Sequence, residues 1–148
     1  MSRYSSATER SLRAALLALL LAGCASTGAP KASLYERLGG AEGIDAISFD
    51  LLARSVADPR IAEDFVEADL VNLHERLVER LCALSGGPCT YGGRDMRAAH
   101  AGLGLTEADF NALVEHLVDA MRARGVPLSA QNELLAILAP MRREVIRQ

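Results

Sequence analysis

Between Gly86 and Gly104 the chain sets six glycines and Pro88 within nineteen residues. Glycine carries the largest backbone-entropy cost in a helix, and proline removes a backbone donor, so this stretch cannot be one long helix. It leaves room for a single short turn, Met96-Arg97-Ala98-Ala99-His100, which Gly102 and Gly104 cut off. Isolated helices become marginal only at about 12 residues, so such a turn has to be held from outside. Two readings of His100 stand on local sequence: a helix-terminal histidine bonded to a carbonyl, or an imidazole ligand to a metal.

The rest of the chain reads as helix. No segment alternates apolar and polar residues, and long β-branched runs are absent. The pattern predicts a short turn over Leu34–Arg37 ending at Gly39-Gly40, then a helix from about Ala41 to Ala57 stopped by Asp58-Pro59. An irregular piece with Ile61 and Phe65 follows. Asp69 then caps a helix whose Leu70, Leu73, Leu77, Leu81 and Leu84 recur at three- and four-residue spacing. Thr106 and Asp109 form a capping-box pair ahead of a helix with Phe110, Leu113, Val114, Leu117, Val118 and Met121 as its buried stripe. Gly125-Val126-Pro127 ends that helix, and Ser129 is expected to cap the last one. Pro140 should kink or shorten the last helix, whose inward candidates are Leu134, Leu135, Ile137, Leu138 and Met141. Four main helices and no strands make an all-α fold.

The N-terminus reads separately. Arg3, Arg10 and Arg13 precede the apolar run Ala14–Leu21, which is too short for the ~20 residues a membrane-spanning helix needs. Leu21-Ala22-Gly23-Cys24 resembles a bacterial lipobox, which implies cleavage before Cys24 and lipid on its thiol. On this reading residues 1–23 are a lipoprotein signal peptide and residues 24–32 a flexible tether, rich in Ala, Ser, Thr and Gly. Residues 33–148 are the folded domain, lipid-anchored at the periplasmic face of a bacterial cell envelope. Loss of Arg3, Arg10, Arg13 and Glu9 takes the formal charge from −3 to −5. A mildly acidic domain without a basic stripe argues against nucleic acid as partner. Export would place Cys82 and Cys89 in an oxidising compartment. A disulfide across the Gly-Gly-Pro turn and a buried, unpaired Cys82 both remain open; a zinc site would need ligands that nothing nearby suggests.

Of the other histidines, His116 follows Glu115 in a regular helix and is expected to be solvated or at an edge. His74 lies one step round from the leucine stripe, expected to be exposed, with an inward swing as the alternative. Several quoted residues together resemble the group I truncated haemoglobins. They are Leu34-Tyr35-Glu36-Arg37-Leu38-Gly39-Gly40, Phe65, Gly86-Gly87-Pro88, Tyr91 to Met96, and Ala99-His100 with Gly104-Leu105. The resemblance runs from about Leu34 to Val145 and implies a two-over-two helical sandwich enclosing haem b. It assigns His100 as the proximal iron ligand, Phe65 as a ring packed on the haem and Met96 as a pocket wall. A basic residue often meets a haem propionate in this family; Arg76 is the first candidate here, with a solvated arginine beside Glu75 and Glu79 as the equal alternative, and Tyr91 and Arg94 are weaker candidates.

The departures fall on the ligand side. Leu52 stands where many relatives have Tyr, and Leu73 and Leu77 where they often have Gln. Plain core packing explains the three leucines equally well. An apolar ligand side would offer bound oxygen no hydrogen bond, so weak oxygen retention and poor nitric oxide dioxygenation are expected. The expected partners are a diatomic gas, the membrane and an unidentified reductase. The rival readings are a haem enzyme of nitric oxide or peroxide chemistry, and a haem-free helical lipoprotein serving as an interaction module.

Overall fold

The structure, a computed structural model, describes residues 31–148. The signal peptide, Cys24 and the tether up to residue 30 lie outside the described residues. Ser33 opens the fold: its hydroxyl accepts from the Glu36 amide while the Glu36 carboxylate accepts from Ser33, a closed capping box on α1 (Leu34–Arg37). Gly39 turns the chain at φ +95°, a conformation that costs most side chains strain, straight into α2 (Gly40–Ala57). Asp58 and Pro59 stop that helix, and a 3-10 turn, Ala62–Phe65, fills the irregular piece. Asp69 caps α3 (Leu70–Leu84) through the Asn72 amide, and Asp95 caps α4 (Met96–His100) through Ala98. Thr106 and Asp109 form the capping box of α5 (Glu107–Ala123).

The end of the chain differs in detail from the expectation. Helix α6 (Leu128–Leu138) starts one residue before Ser129, with Pro127 in the cap position. Ser129 therefore lies inside the first turn and caps nothing. Proline suits this entry because it has no amide to leave unpaired. Pro140 does shorten the helix: the chain tightens into a 3-10 turn, Ala139–Met141, and ends in α7 (Arg142–Val145).

Helix α2 is the hub. It packs against α5, α3, α1 and the Ala62–Phe65 turn, while α1 also meets α6, and α4 leans on α7. The core gathers Leu34, Leu38, Ile44, Ile47, Leu51, Leu81, Leu117, Met121 and Leu134. Each such side chain, fully buried, contributes roughly 1.5–3 kcal/mol. In α5 the deepest positions are Ala112, Leu117, Ala120 and Met121, whereas Phe110, Leu113, Val114 and Val118 are half-buried. Leu117 and Met121 of the expected stripe are thus buried, Leu113 and Val118 pack against the core, and Ala112 and Ala120 join its deepest positions. Leu70, expected in the stripe of α3, is exposed at its start. Among the described residues, no helix is long and apolar enough to cross a membrane.

Candidate functional site

The turn bearing His100 is held from outside, as its length requires. Asp95 fixes its start. Beyond it, Gln148 accepts from Arg97 at 2.8 Å through its side chain and from the Gly102 amide at 3.1 Å through its main chain. The imidazole is oriented within the turn. His100 Nδ1 lies 2.6 Å from the Met96 carbonyl oxygen. A carbonyl only accepts, so Nδ1 carries the proton and the lone pair of the neutral ring sits on Nε2. The first reading of His100 is the one the structure displays, and the same carbonyl bond leaves the other nitrogen available to a metal.

Among the described residues no three His, Cys, Asp or Glu side chains gather into a metal site. A single imidazole suits an iron whose other donors come from a macrocycle. The apolar residues fit such a group. Phe65, Leu73, Met96, Phe110 and Val114 are half-buried yet stand outside the continuous core, on the 3-10 turn, α3, α4 and α5. Leu52 is 7% exposed and also lies outside that core cluster, whereas Leu77 packs against it. Large apolar side chains left half-covered outside the core are what a flat apolar cofactor would bury.

The polar candidates are more occupied than expected. Arg76 pairs with Glu79 at 2.7 Å and lies 3.8 Å from Glu75, with its Nε lacking a protein partner. Tyr91 donates to the Arg94 carbonyl at 2.7 Å, so its hydroxyl serves its own loop, while the Arg94 side chain is exposed. Glu75 and Glu79 are the neighbours that sequence offered for Arg76, whereas Arg80 was overlooked. Glu79 also accepts from the Gly92 amide at 3.2 Å, and the Arg80 guanidinium stacks 4.7 Å from the centre of the Tyr91 ring. Arg76 and Arg80 are four residues apart on α3, and that helical spacing was the available signal. Cys82, buried in the core, is joined to Cys89 by a disulfide with its Cα atoms 5.8 Å apart.

The two remaining histidines are structural ties. His74 is half-buried, 3.3 Å from the Asp45 carbonyl and edge-on to Phe49, which holds it at α2. Of the two expectations for His116, solvated or at an edge, the first fails: its side chain is 13% exposed and contacts Asp58 at 2.9 Å. That neighbour 58 positions away was invisible to local sequence. Arg60 bridges Asp58 and Glu115, and its guanidinium holds the Asp58 carboxyl well below the ordinary value of 3.8, with the His116 contact adding to this.

Comparison with known proteins agrees with this geometry. The model of the bacterial-like globin family matches residues 33–147. The chain is 34% identical to group 1 truncated haemoglobin GlbN of Mycolicibacterium paratuberculosis over 117 residues, covering 79% of this chain and 86% of the relative. It is 37% identical to GlbN of Nostoc commune over 105 residues, covering 71% and 87%. Truncated haemoglobin from Tetrahymena pyriformis in its Fe(III) form superposes with a TM-score of 0.76 at 27% identity, over 79% of this chain and all of that one. The helices thus form the two-over-two sandwich of these proteins, and the chain belongs to the bacterial-like globin family, among the group 1 truncated haemoglobins.

Proposed function

We propose that His100 would hold a haem iron through Nε2, and that Leu52, Leu73 and Leu77 would line the side on which a diatomic gas is taken up. As a globin of this family the chain binds haem b, and its iron binds oxygen or another diatomic ligand. When bound, the haem would supply an iron able to take a gas ligand. The chain's own residues would supply the rest. The Met96 carbonyl sets the tautomer of His100, Phe65 and Met96 would pack against the haem, and Arg76 would meet a propionate in exchange for one of its carboxylate partners. The observation that carries this reading is the Nδ1 bond of His100, which leaves Nε2 ready to coordinate.

With leucine at all three distal positions, bound oxygen receives no hydrogen bond from them, so the site favours release over retention and turns over nitric oxide slowly. His74, engaged by Asp45 and Phe49, gives no support to a second histidine ligand. The lipobox-like Cys24 supports anchoring through lipid at the periplasmic face, where an electron donor would keep the iron ferrous. Fatty-acid labelling that disappears in Cys24→Ser tests the anchor. The absorbance spectrum of the purified domain tests the site: a Soret band is expected in the parent and a diminished, altered one in His100→Ala. A parent without a Soret band overturns the reading.

A further inference from the structure

The loop from Gly86 to Asp95 joins α3, which carries Leu73 and Leu77, to α4, which carries His100. It is fastened to α3 in three places of unequal strength. Gly92 bonds Glu79 at the surface, and Tyr91 lies under Arg80. Both are noncovalent contacts that open and re-form. The disulfide between Cys82 and Cys89 is covalent, and it starts from the buried end of α3, where Cys82 is 2% exposed. The chain is folded tightly over it: a Cβ at Gly87 would lie 2.6 Å from Cys82 Sγ and 2.5 Å from the Tyr35 ring. The Gly87 amide donates to the Cys82 carbonyl at 2.8 Å. On its far side α4 leans on α7 and Gln148. On its near side it depends on this loop, because five residues cannot hold themselves.

We infer that the Cys82–Cys89 disulfide is a brace between the ligand-side helix and the proximal turn, positioning His100, so that haem retention follows its oxidation state. This rests on the haem reading above. Cys89 is exposed, so a soluble dithiol can attack its sulfur. The S–S bond breaks, Cys82 leaves as a thiolate and takes a proton, and the second thiol of the reagent then displaces Cys89. Two electrons pass to the cysteines and the dithiol ends as its own disulfide.

The test is transfer of ferric haem to excess apomyoglobin, followed for the parent with and without dithiothreitol and for Cys82→Ser/Cys89→Ser. The iron–histidine stretching band of the ferrous form is recorded alongside. We expect haem loss roughly tenfold faster after reduction and in the double variant, at the low end of what losing an outer-shell partner costs a metal site. We further expect no added effect of reductant on the variant, a shifted iron–histidine band, and recovery when the parent is reoxidised. Unchanged haem loss in the reduced parent overturns the brace, and so does a variant that melts earlier with haem loss and band unmoved. Should the variant not fold, the reduced and reoxidised parent decides alone. A parent without a Soret band overturns the haem reading itself, and the brace with it.

Discussion

A single carbonyl, that of Met96, takes the Nδ1 proton of His100 and leaves Nε2 unprotonated. In the proposed site residue 73 is a leucine where a longer polar side chain would reach the ligand. Leu73→Gln adds a donor, and a hydrogen bond to a strongly polarised oxygen is worth roughly 1.5–3 kcal/mol. Oxygen dissociation followed by stopped flow should then slow by about ten- to a hundredfold. An unchanged rate would place residue 73 off the ligand path. Gly87 is a residue-scale constraint of another kind, set by the Tyr35 ring and Cys82 sulfur that a methyl group would strike. Gly87→Ala should destabilise the fold by about 1–3 kcal/mol in urea titrations, the usual range for overpacking.

At the scale of elements, the most exposed dependence is that of α4 on its cap. Asp95→Ala removes the acceptor for the Ala98 amide and should cost about 1 kcal/mol, read as faster exchange of the α4 amides; Asp95→Asn should restore most of it. The elements themselves were legible because their boundaries are chemical. Asp69 and the pair Thr106 and Asp109 mark helix starts that were read from local sequence, while the caps Ser33 and Asp95 were not singled out. The start of α6 was misread because Ser129 is a good cap by residue type, yet Pro127 takes the cap position, and only the path of the chain chooses between them. Sequence singled out His100 as a candidate because its turn is too short to stand alone. Long-range pairs such as His116 with Asp58 or Arg97 with Gln148 were not legible, since no local pattern encodes a partner more than fifty positions away.

Across the whole molecule, Asp58, His116, Arg60 and Glu115 tie the exit of α2 to the middle of α5. The Asp58 carboxyl is held below its ordinary value of 3.8, so the charged form is favoured in the folded state. Its stability contribution is therefore present above that value and is lost as pH falls through the lower folded pKa. Unfolding midpoints of the parent and Asp58→Asn should differ at neutral pH and converge as the solution is taken well below pH 4. A difference that persists in strong acid would show that the tie acts through packing instead.

Helix α2 gathers most of the other elements, while α4 leans on α7. The core around α2 contains no residue of α4. The element that carries the candidate ligand thus stands apart from the packing that holds the frame, so substitutions in α4 are free to alter the site while the frame keeps its shape.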